Sequence, residues 1–358
     1  MIYTINNNEI KGSTSQRICG LDLIRVCAIF FVIAGHFFSL NTSYRFVPFK
    51  GLSMFIQAMM SAVFSVGVPL FIMLTGYLNI NKTPTKKYYK GMLRVLFAYL
   101  FFSIATIVFR KFYLGENLSL VQWILKIFDY SAIPYAWYIE MWIGLALLTP
   151  FLNYLWKAIP TIKEKLLLIV SLFVMTSLPD LCNRYGMYIF PAYFAKACYP
   201  LMFYFIGTFI HEYQPTIKSG IGLVIVFCMA LITPWFNIIV FRGTHDIVEV
   251  CGGPGGVFYP WIAIVIFLML YRRDIKIKPI KKWITHCSMV SLEMYLCCYM
   301  FDRLYYPWFK KHFFETQSQF LSWFFVIVPL CFLSSYFVAA GYNSYKNIIS
   351  YIGKRKSL

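Results

Sequence analysis

At 358 residues, 60% of them hydrophobic, 20% aromatic and only 13% charged, the chain is too apolar for a water-soluble domain. It reads as an all-α, polytopic membrane helical bundle, a single integral domain over 1–358 with a polar N-terminal tail over 1–17. The formal net charge of +19 does not imply nucleic acid, because the cations are spaced between apolar runs as in a membrane protein.

The first apolar run, 18–40, carries Asp22, Arg25 and His36. Ionisable groups are expensive at that depth and mark function by default. Arg25 and His36 are eleven residues apart, about three helical turns, so they share a face and lie roughly 16 Å apart along the axis. Asp22 precedes Arg25 by three residues and is placed to pair with it. A snorkelling Asp/Arg pair and a satisfied buried histidine are the plain alternative. The run lacks a clear A-x-A cleavage site, so it is expected to be a retained span.

Nine further spans are expected at 54–79, 95–114, 135–155, 166–182, 194–210, 220–241, 258–271, 288–306 and 320–340, making about ten. Leu120 to Phe128, between the third and fourth, reads as a short helix lying in the membrane interface. With residue 1 placed inside, the inner segments carry 21 Lys and Arg and the outer ones 11. That bias predicts both termini cytoplasmic and an attraction to anionic membrane lipids.

Glu140, just after Trp137-Tyr138, falls near the outer end of the fourth span, where it would meet His36. An interfacial carboxylate in water is the other reading. Lys82, Lys86, Lys87, Lys90 and Arg94 cluster on the inner side. Lys90 and Arg94 are one turn apart and suit the phosphates of a nucleotide-like ligand, or else are ordinary inner-side charge. The loop bearing His245, Asp246 and Glu249 suits a hydrophilic acceptor, and His211, His286 and His312 read as surface residues. The ten cysteines lack metal-ligand spacing, so neither a metal nor a bound cofactor is expected. A disulfide among Cys182, Cys198 and Cys251 stays open.

Five segments in order resemble the acyltransferase family 3 membrane proteins, which acylate sugars of bacterial envelope polysaccharides. Gly20-Leu21-Asp22-Leu23-Ile24-Arg25 to Gly35-His36 resembles the family's opening Arg, ten residues, His. Gly67 to Tyr77 is similar to its second-span signature, and Lys86 to Tyr99 to its basic entry to the third span. Ala136-Trp137-Tyr138-Ile139 with Leu148-Thr149-Pro150, and Ser291 to Cys298, resemble its later segments. Gly91 stands where a closer pair of basic residues is usual, and Cys298 where a histidine often stands.

The resemblance implies an O-acetyltransferase of the bacterial cell membrane. Acetyl-CoA would be its acyl donor, and a polysaccharide or lipid-linked sugar hydroxyl its acceptor. His36 would be general base or transient acyl carrier, with Glu140 and, three turns deeper, Arg25 as the other catalytic residues. Asp22, Lys90, Arg94, Trp137 and Tyr138 would bind substrate. A transporter or flippase of a small anion or lipid-linked sugar is the alternative that the same buried Arg and His would serve.

Overall fold

The computed structural model describes residues 17–39, 50–183, 188–241, 256–313 and 316–355. His245, Asp246, Glu249 and Cys251 lie outside the described residues, as do residues 1–16 of the tail. The described residues form helices without strands: α1 (Cys19–Ser39), α2 (Gly51–Phe64), α3 (Gly67–Asn79), α4 (Lys86–Phe112), α5 (Leu120–Phe128), α6 (Trp137–Ala158) and α7 (Ile162–Cys182). Then follow α8 (Ala195–Tyr213), α9 (Ser219–Phe241), α10 (Tyr259–Leu270), α11 (Lys278–Met289), α12 (Ser291–Phe313) and α13 (Gln317–Arg355).

Six stretches are long and apolar enough to cross a bilayer: α1, α2 with α3, α4, α6, α9 and α13. The more polar α7, α8 and α12 have 21, 19 and 23 residues, and α10 is a shorter apolar helix. Together these make about ten spans.

Helix α1 is the axis of the bundle, packing against α2, α3, α10, α11, α12 and α13. Ile24, Ala28, Ile29, Ile33, Ala34, Phe37 and Phe38 are all fully buried in that contact. The tightest neighbours are α3 and α8. A Cβ on Gly76 would stand 2.0 Å from the Tyr204 carbonyl oxygen, and one on Gly207 1.9 Å from that of Met73. In hydrocarbon, where burial of apolar surface offers little drive, such backbone proximity is what holds helices together.

The sequence suggests one helix over 54–79, and the structure breaks it at Ser65–Val66. Pro69 has no N–H to give the Ser65 carbonyl, and Gly67 lets α3 start hard against Ala28 and Val32 of α1. The expected ninth span, 288–306, is α12 together with the last two residues of amphipathic α11, and α12 runs on past the expected end to Phe313. Helix α5 spans the residues expected of a short helix there, with a capping box between Ser119 and Gln122 at its start. Cys182 and Cys198 are free thiols.

Candidate active site

Two polar centres lie at opposite ends of one face of α1. At the end where α1 begins, Asp22 is almost fully buried and is gripped by Arg17, whose Nε and Nη2 donate at 2.6 and 2.8 Å. Ser288 of α11 donates to Asp22 Oδ1 at 2.7 Å and accepts from Arg25 Nη1 at 3.0 Å. The expected Asp22–Arg25 pair is therefore present, but at 3.8 Å it is the weaker contact. Arg25 is left aimed into a cavity of about 330 Å³ lined also by Val32, Thr75, Tyr138, Trp142 and Tyr295.

That cavity adjoins a larger one of about 830 Å³ through the shared residues Thr75, Asn79 and Trp142. The larger space is basic, lined by Lys82, Lys86, Lys87, Lys90 and Arg94, with both Lys90 and Arg94 exposed. Its rim is fixed from α6. Asn153 Nδ2 donates to the Asn79 and Lys82 carbonyls at 2.7 and 2.8 Å, and Tyr88 OH donates to the Ala146 carbonyl at 2.7 Å. The basic segment, the Arg25 cavity and the start of α1 thus make up a recess of two adjoining cavities.

Val32 lines the Arg25 cavity, and His36 stands one helical turn further along the same face of α1. His36 is 8% exposed. Its Nδ1 is 3.2 Å from Oδ2 of Asp302, a carboxylate of α12 with no exposed surface. Tyr135 OH donates to the same Oδ2 at 3.0 Å, and its ring centroid lies 4.0 Å from that of His36. Tyr135 is itself held, because Tyr295 OH donates to its carbonyl. Tyr295 also lines the Arg25 cavity, so one side chain links that cavity to the residue held beside His36.

A buried carboxylate costs several kcal/mol unless paired and hydrogen-bonded, and here the imidazole and the phenol meet that demand. Because a carboxylate accepts only, the contact selects the tautomer with its proton on Nδ1 and the basic lone pair on Nε2. An imidazole in that tautomer has the chemistry to take a proton from a hydroxyl. Cys298, in the place where a histidine is usual, has its Sγ 3.9 Å from His36 Nδ1 and donates to the Tyr295 carbonyl at 3.1 Å.

Glu140 does not reach His36. Ala136 and Ile139 take the inward positions at the start of α6, and Glu140, about 100° further round, is exposed. The carboxylate beside His36 comes from α12 instead. Trp137 also faces outward, 43% exposed, whereas its neighbour Tyr138 lines the Arg25 cavity. Asp302, Tyr135, Ser288, Tyr295 and Trp142 were not expected. Of these, Asp302 had a usable signal: at seven and four residues after Tyr295 and Cys298, it shares their helical face within the expected ninth span.

The family model described as an acyltransferase domain, acyltransferase family 3, matches residues 19–340. No curated protein and no solved structure gives a significant match. The matched range covers nearly the whole chain, with the recess and every residue of the two polar centres except Arg17: this membrane protein belongs to acyltransferase family 3.

Proposed function

We propose that the protein transfers an acyl group, acetyl foremost, from acetyl-CoA entering at the basic end to a sugar hydroxyl met at the His36 end. The observation that carries this reading is the buried Asp302–His36 pair, one turn beyond a recess that begins in five cations. Lys90 and Arg94 meet the phosphates of the donor, whose thioester arm runs along the Arg25 cavity toward Val32. Arg25 steadies that arm, with Asp22 and Ser288 fixing the guanidinium.

At His36 the acceptor hydroxyl gives its proton to Nε2 as its oxygen attacks the thioester carbonyl carbon. The carbon–sulfur bond breaks, and the departing CoA sulfur takes the proton back from the imidazolium. Asp302 stabilises the transient positive charge on the ring and keeps the ring oriented. With the donor end on the side of the Lys and Arg excess, donor and acceptor approach from the cytoplasmic and outer faces of the cell membrane respectively. The acceptor fitting that geometry is an envelope polysaccharide or lipid-linked sugar.

The test is to supply purified protein with acetyl-labelled acetyl-CoA and a cell-envelope glycan fraction. Label should enter the glycan as an alkali-labile ester with the wild type and not with His36→Gln. A sugar or anion carried across sealed vesicles with no label in any glycan would replace acyl transfer by translocation.

A further inference from the structure

A second surface of the molecule is built for a different ligand. Helix α11 joins α10, which ends at Leu270, to α12, which begins at Ser291, so connectivity holds it at the bilayer surface. Ile284, Cys287 and Ser288 face inward and are buried, and His286 Nδ1 lies 2.9 Å from Tyr336 OH on α13. Its remaining surface joins apolar to basic. Ile277, Ile280 and Trp283 are exposed large hydrophobics, and Lys276, Lys278 and Lys282 are exposed beside them.

The other cations nearby are engaged. Lys281 Nζ pairs with Asp274 at 2.6 Å, Arg272 donates to the Gln214 carbonyl at 3.0 Å, and Arg273 donates to Ser219 Oγ. Lys278 and Lys282 lie one turn apart on the same face, with Lys276 just before the helix. Apolar side chains at the acyl boundary with lysines at headgroup height complement an anionic phospholipid.

We propose that the Lys276–Lys282 face of α11 is a binding site for anionic phospholipid headgroups of the leaflet on that side, with phosphatidylglycerol as the probe. The inward side of the same helix supplies Ser288 to Arg25, so a lipid that fixes α11 also fixes one wall of the recess. The site stands on the surface of α11 and does not need the acyl-transfer reading.

The experiment uses the full chain in nanodiscs of phosphatidylcholine with and without phosphatidylglycerol, following amide deuterium uptake over 276–289. Native mass spectrometry in parallel counts the phosphatidylglycerol retained. Phosphatidylglycerol should slow uptake over 276–289, and in Lys276→Gln/Lys278→Gln/Lys282→Gln its affinity should fall by about fivefold or more. Lys310→Gln/Lys311→Gln, two exposed charges near the other end of the bundle, should leave binding and the uptake difference in place. Equal binding by the triple variant and the wild type would overturn the site. So would an equal loss in the Lys310/Lys311 control, or full competition by free glycerol phosphate, which would make it a small-anion pocket.

Discussion

The two ends of the recess are built on opposite physical plans. At the His36 end, Asp302 has no exposed surface, Tyr135 is almost buried, and each polar group is fixed by a side chain distant in sequence. At the basic end, Lys90 and Arg94 are exposed on one helix, close in sequence and free of such clamps. On the function proposed, the first plan would fix a proton acceptor within the tolerance that chemistry needs. The second would gather charge to attract phosphates, where position within an ångström or two matters little. A variant at one end should therefore alter kcat, and a variant at the other the donor KM.

The largest effect is expected at His36. Replacing it by Gln keeps the bulk and a hydrogen bond to Asp302 but removes the proton acceptor, so kcat should drop by about 10²–10⁴. A His36→Gln enzyme within a fewfold of wild type would end the contrast between the two ends. Tyr135→Phe deletes one hydrogen bond to a buried carboxylate and should cost roughly 10-fold to 100-fold in kcat, with the donor KM little changed. Steady-state kinetics in both substrates separate the two constants.

Arg110 extends the His36 end outward. It is buried near the end of α4 and donates to both carboxylate oxygens of Glu116, at 3.0 and 2.7 Å. It also donates to the Ser131 and Ala132 carbonyls at 2.8 and 3.0 Å, just before the Tyr135 turn. Arg110→Lys cannot keep all four bonds and should lower kcat by roughly tenfold, if the turn is what aims Tyr135. To tell positioning from folding, Arg110→Lys is combined with Tyr135→Phe. The two losses should fail to add, whereas independent losses would make Arg110 a general stabiliser.

Arg94→Ala should raise the donor KM by about fivefold while kcat stays near wild type, the mark of lost uniform binding. An unchanged KM would return Arg94 to plain inner-side charge. Smallest for turnover is Gly207→Ala. It forces α3 and α8 apart and should cost about 1–3 kcal/mol of stability, read as a lower melting temperature in detergent with kcat per folded molecule retained.

Much of this was legible beforehand, for identifiable reasons. Apolar run length gives about ten spans because the bilayer demands it, and α5 is visible from its amphipathic pattern. Arg25 and His36 stand out because charge within a hydrophobic run is rare. Asp302 stayed hidden because it lies near the end of the expected ninth span with Arg303 directly after it, where charge is ordinary. Tyr135 and Ser288 stayed hidden because nothing in their neighbourhoods sets them apart; only the packing of α1 against α11 and α12 gives them partners. The misplaced Glu140 shows the converse. Its place in the first turn of a helix was readable, but facing was not, since one residue turns a helix by about 100°.

The most direct test is a double-mutant cycle on the buried pair, with single-turnover acyl transfer measured for His36→Gln, Asp302→Asn and the two combined. Asparagine keeps the shape of Asp302 but removes the charge that stabilises the imidazolium and selects its tautomer, so Asp302→Asn should itself lose about 10² or more in rate. If the pair works as a unit, the double variant should be no slower than His36→Gln alone. Losses that multiply, or an Asp302→Asn enzyme turning over near the wild-type rate, would contradict the assignment of Asp302 and His36 as the chemical centre.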